Sequence, residues 1–125
     1  MSSSDRGSPG ADEFGPPSDN ELQILTTMLN AEFPGHEELL EQLGRAQVRR
    51  LDADGSLSLR SSDGPPSAVM RRIPVEAELE DEDGVKIHVL LHVLDGYLNE
   101  LEVYREDSAR VQRIVRPEDL NILIL

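Results

Sequence analysis

Residues 73–105 read IPVEAELEDEDGVKIHVLLHVLDGYLNELEVYR, and this stretch decides the fold. Val75, Ala77 and Leu79 alternate with Glu76, Glu78 and Glu80. After Glu82-Asp83-Gly84 the series Val85, Ile87, Val89, Leu91 and Val93 continues one apolar face. A period of two is the mark of a strand with one side buried. Leu94-Asp95-Gly96 turns the chain again into Tyr97 to Arg105, where Leu101 and Val103 face inward. The segment predicts a three-stranded antiparallel meander whose corners are Asp-Gly turns.

Loop length sets the register, because a slip of one residue moves every side chain to the wrong face. Two-residue turns would set Leu91 against Glu100. Three-residue loops ending in glycine, a type I turn plus bulge, keep apolar with apolar. They pair Leu79 with Ile87, Ala77 with Val89, Val89 with Leu101 and Ile87 with Val103. On the opposite face Glu78 and Glu102 then flank His88, Glu76 and Glu100 flank Leu90, Glu80 and Tyr104 flank Lys86, and His92 faces Leu98.

Upstream, Leu51, Leu57 and Leu59 around Ala53-Asp54-Gly55 predict a further hairpin, with Leu51 set against Leu57. Residues 61–67, with Asp63-Gly64-Pro65-Pro66, read as a loop. Ser18 or Asp19 opens a helix over about 19–31, in which Leu22, Leu25, Met28 and Leu29 recur at helical spacing and Glu21 completes a capping box with Ser18. Pro34-Gly35 breaks it. Leu39, Leu40 and Leu43 mark a short second helix, with Gly44 as a left-handed stop and His36 at its start, as a cap or surface residue. Residues 1–19, rich in Ser, Gly and Pro with Phe14 as the single large side chain, read as a disordered tail, and 20–125 as one domain. Val111, Ile114 and Val115 suit a fifth strand or an amphipathic turn. Pro117 suits a short helix, and Ile122 to Leu125 an apolar end docked on the core. The expected fold is α+β: an antiparallel sheet of about five strands with two N-terminal helices packed on one face.

The net charge is -13. Residues 73–106 alone set ten acidic side chains against Lys86 and Arg105. Such a field repels nucleic acid and anionic membranes and suits a protein partner with a basic surface; solubility alone also accounts for it. Arg45, Arg49, Arg50, Arg71 and Arg72 form the one basic region, suited to pairing with the acidic sheet or to holding an acidic partner. No stretch approaches the roughly 20 apolar residues of a membrane span, and no secretory signal opens the chain, so the reading is cytoplasmic. Cysteine is absent, which removes disulfides, thiolate metal sites and cysteine nucleophiles.

Motifs for nucleotide binding or serine hydrolysis are missing, and Asp81-Glu82-Asp83-Gly84 lacks the twelve-residue ligand pattern of a calcium loop. No catalytic residue or cofactor is expected. His88 between Glu78 and Glu102 is a candidate metal cluster, because imidazole nitrogen and carboxylate oxygen both ligate divalent ions. Ordinary cross-strand charge pairing explains the same residues.

Asp81-Glu82-Asp83-Gly84-Val85 and Gly96-Tyr97-Leu98-Asn99-Glu100-Leu101-Glu102-Val103-Tyr104-Arg105, after a helix pair and a hairpin, resemble a group of small bacterial domains of unknown function, of GC-rich, actinobacterial-like character. The resemblance implies a short α+β fold and no activity. The functional expectation is a non-enzymatic interaction module, accessory or immunity-like, that meets its partner through Glu76, Glu78, Glu100, Glu102 and Tyr104. The alternatives are a metal or small-ligand site at His88 and a structural subunit. The chain itself is expected to be a monomer or a weak homodimer, joined through a sheet edge or the C-terminus.

Overall fold

A computed structural model describes residues 13–61 and 64–125. Two helices come first. Helix α1, Asp19–Leu29, starts at Ser18, whose Oγ accepts the Glu21 N–H while the Glu21 carboxylate accepts the Ser18 N–H, the expected capping box. It buries Ile24, Leu25, Met28 and Leu29, while Leu22, at helical spacing with them, lies exposed. Helix α2, His36–Leu43, is tied to the end of α1 through His36 Nδ1, 2.9 Å from the Leu29 carbonyl. Gly44 is right-handed (φ -61°), not the left-handed stop expected. The helix ends instead in a tightened turn, in which the N–H groups of Gly44, Arg45 and Ala46 donate to the carbonyls three residues back.

The sheet has six strands where about five were expected: β1 Gln47–Arg50, β2 Leu57–Arg60, β3 Val75–Glu80, β4 Lys86–Leu94, β5 Tyr97–Arg105 and β6 Asn121–Ile124. All pairs are antiparallel, in the order β1-β2-β5-β4-β3-β6. The helices cover one face. Leu25, Met28, Leu29 and Leu39 meet Val48, Leu57, Val75, Ala77, Ile87, Val89, Leu91 and Leu101, all fully buried, in one core. The extra strand is the C-terminal apolar stretch. It pairs with β3, which would otherwise expose a row of unpaired backbone groups. A 3-10 turn at Pro117–Asp119 leads into it, and residues 111–116 before it form no strand.

The β3–β4 hairpin has the expected three-residue loop. Asp81 N–H donates to Val85 O, Gly84 is left-handed (φ 86°), and Leu79 pairs with Ile87. The β4–β5 hairpin is different. Asp95 (φ 53°) and Gly96 (φ 85°) form a two-residue turn with both residues left-handed, and Leu94 pairs with Tyr97. Asn99 is then skipped in the ladder, because Val93 pairs with Leu98 and His92 with Glu100. The bulge that keeps apolar with apolar sits inside the strand and not in the turn. The register is therefore two residues from that expected: Val89 pairs with Val103 and Leu91 with Leu101. In the first hairpin Leu51 pairs with Ser56 and is exposed, while Arg50 is set against Leu57 and Val48 against Leu59. Asp52 reshapes this loop by accepting the N–H groups of Asp54, Gly55 and Ser56 on one oxygen.

Two polar side chains lock these hairpins. Gln42, buried on α2, donates to Gly96 O at 2.9 Å and accepts Leu98 N–H at 3.0 Å. An added Cβ on Gly96 would lie 2.6 Å from Pro66 Cβ and 2.8 Å from Ser67 O, so only glycine fits. Arg105, buried at the far end of the meander, places Nε and both terminal nitrogens on Asp81, Asp83 and Asp107 at 2.7 to 3.0 Å. Burial alone would raise the Asp81 carboxyl; Arg105 and the N–H groups of Gln112 and Glu82 outweigh it and hold the group below its ordinary 3.8. Arg105 and the Val85 N–H lower Asp83, and Arg105 with the Ala109 N–H holds Asp107 far below the carboxylate range.

Residues 1–12 of the expected tail lie outside the described residues. Phe14 and Gly15, read as part of it, are joined to the sheet. Gly15 bridges Val48 through two backbone hydrogen bonds, and Phe14 lies against the guanidinium groups of Arg49 and Arg60, 5.3 and 4.2 Å from the ring centre. No helix among the described residues is long and apolar enough to cross a membrane.

Candidate functional site

Strand alternation sends Glu76, Glu78 and Glu80 of β3, Lys86, His88, Leu90 and His92 of β4, and Glu100, Glu102 and Tyr104 of β5 to the face away from the helices. Three rows cross it beside the pair of Glu80 with Lys86. Tyr104, His88, Glu78 and Asn121 form one; Glu102, Leu90, Glu76 and Leu123 the next; Ser58, Glu100 and His92 the third. The expected pairing of Glu78 with His88 is present. Glu102 is not beside His88, because the tighter turn and the Asn99 bulge together shift β5 by two residues. It lies opposite Leu90 and takes His92 Nε2 at 2.9 Å.

Glu76 fills the place expected for Glu102. The Oε2 atoms of Glu76 and Glu78 each lie 3.8 Å from His88 Nδ1, and one ligand atom of each residue falls within 4.8 Å of the others. Glu106, not anticipated from sequence, receives His88 Nε2 at 3.0 Å. Only the shifted register brings the residue after Arg105 up to His88. Lys86 Nζ binds the other oxygen of Glu78 at 3.2 Å. Tyr104 stacks on the His88 ring, centroids 5.1 Å apart and planes 22° apart. Burial pushes the Tyr104 hydroxyl up, and Glu102, Glu76 and Glu106 push it further, as a strongly negative local field must.

His88 is held rigidly, with its side chain 14% exposed. A carboxylate only accepts hydrogen bonds, so the contact with Glu106 puts the proton of neutral His88 on Nε2 and leaves Nδ1 a lone pair. Nδ1 lies 3.8 Å from two carboxylate oxygens and is buried with no hydrogen-bond partner among the described residues. His92 Nδ1 is likewise buried without a hydrogen-bond partner, but among the described residues no metal-binding cluster includes it.

The acidic motif divides by role. Asp81 and Asp83 point to Arg105 and serve the architecture, while Glu82 lies exposed in the turn. Of the basic residues expected to pair with the acidic sheet, Arg50 pairs instead with Glu21 of α1.

The chain belongs to the family described as Domain of unknown function (DUF6984), whose model matches residues 15–115. No curated protein matches the chain, and no solved structure matches it.

Proposed function

We propose, with membership of this uncharacterised family as the premise, that the protein is a non-enzymatic interaction module whose outer sheet face receives a partner with a basic surface. The observation that carries this reading is the gathering of Glu76, Glu78, Glu80, Glu100, Glu102 and Glu106 on the face that bears no helix. Lys86 is the single lysine set among them. Glu80 and Glu100 have no ion-pair partner among the described residues, and the exposed pair of Lys86 with Glu78 contributes little to stability. Charge on this scale steers encounter and selects a partner of opposite sign. Tyr104, 40% exposed and stacked on His88, supplies the aromatic anchor on which binding energy concentrates.

The test reverses Glu80, Glu100 and Glu102 to Lys together. A genuine partner, captured, purified and retested, should associate with this variant at least about 10-fold more slowly at low salt, with the difference shrinking in high salt. A partner that binds the variant as it binds the native chain, or whose contact maps to the helices, would overturn the proposal.

A further inference from the structure

The outer face holds a second feature, independent of any protein partner. We infer that Glu76, Glu78 and His88 form a binding site for a divalent transition-metal ion of the zinc class. The ligating atoms are Oε2 of each glutamate and Nδ1 of the histidine.

Four observations converge. The two contacts of 3.8 Å at Nδ1 are too long for hydrogen bonds. They are close to the separation of about 3.3 Å that two ligands take across a tetrahedral ion bonded at about 2.0–2.1 Å, so small rotations of the glutamate arms close the site. The neutral tautomer that donates to Glu106 leaves the unshared electron pair of Nδ1 near two anionic oxygens, an arrangement that a cation bound among them relieves. The supporting contacts are those of a metal-binding histidine: its far nitrogen donates to a carboxylate, and Lys86 takes Oε1 of Glu78 while leaving Oε2 toward His88. Finally, Glu78 is paired with His88 across β3 and β4 and Glu76 stands two residues away on the same face of β3; both strands are flanked, by β6 and β5, so the ligands' backbone is placed before any ion arrives.

The donor set of one nitrogen and two oxygens favours zinc, cobalt, nickel or manganese over the thiophilic ions. Three protein ligands leave one position of a tetrahedral ion for water.

The experiment uses the full chain, freed of any affinity tag and stripped of metal. Zinc is titrated by calorimetry while the nitrogen resonances of the three histidine rings are followed. The expected result is one ion per chain, with a large shift confined to His88 Nδ1. His88→Gln, Glu76→Gln and Glu78→Gln should each weaken binding at least 10-fold. Glu106→Gln should weaken it by about 10- to 100-fold without removing a ligand, as loss of an outer-shell partner does. His92→Gln is the control and should bind as the native chain does. Circular dichroism of each variant separates lost binding from lost fold. The Glu80, Glu100, Glu102 reversal leaves all three ligands in place and should still take up the ion, so this site and the partner face succeed or fail separately. No stoichiometric uptake by the native chain, or uptake indifferent to Glu76→Gln and Glu78→Gln, would overturn the inference.

Discussion

Arg105 has five N–H groups, and every one ends on a carboxylate oxygen of Asp81, Asp83 or Asp107. All three carboxyls are held below their ordinary value, so in acid the folded chain binds fewer protons than the unfolded one. Their contribution to stability is therefore complete above about pH 4 and is lost as the pH falls through the depressed folded values. Urea denaturation at pH 7 and pH 3 should show a marked loss of stability in acid. In Arg105→Gln the pH 7 stability should fall and the gap between the two pH values should narrow. Arg105→Lys keeps the charge but not the fork, and should resemble Gln more than Arg. Gln42→Leu strips partners from Gly96 O and Leu98 N–H and should lose about 1–3 kcal/mol in the same assay. These contacts were hidden in the sequence because they join residues far apart. Gln42 lies 54 positions from Gly96, and nothing local distinguishes it from a solvated helix glutamine. The cross-strand pair of Glu78 and His88 was legible, since alternation and one correct loop length suffice to place it.

At the level of elements, legibility followed the strength of local chemistry. The capping box and the Glu82-Asp83-Gly84 loop are written in adjacent residues, and both formed as read. Ser18→Ala should destabilise the chain by about 1 kcal/mol, seen as an earlier thermal midpoint with unchanged native circular dichroism. The β4–β5 register was missed because two devices restore the same facing: a longer turn, or a tight turn followed by a bulge. Periodicity cannot choose between them. The contacts of Gly96 with Pro66 and Ser67 favour the tight turn, and they come from a distant loop. Strand β6 was unreadable for a similar reason, since Asn-Ile-Leu-Ile becomes a strand only where β3 offers a bare edge. Ending the chain at Leu120 should lower the urea midpoint and raise aggregation, measured by light scattering, because that edge is uncovered.

The whole molecule is one sheet with unlike sides. One carries the shared core under α1 and α2, where Leu25→Ala should lose about 2–5 kcal/mol in denaturation. The other carries the glutamates, both β4 histidines and Tyr104, where substitutions should leave stability nearly unchanged and alter binding instead. The excess of acid was visible in composition, yet composition could not separate the aspartates that clamp Arg105 from the glutamates left facing water. The skipped residue in β5 has a consequence for how chains of this family vary in length. Because Asn99 has no partner in the ladder, deleting it joins Leu98 directly to Glu100 and leaves every other pairing and facing as it was. Insertions and deletions should therefore gather at this position, whereas a one-residue change elsewhere in the meander would turn a strand inside out.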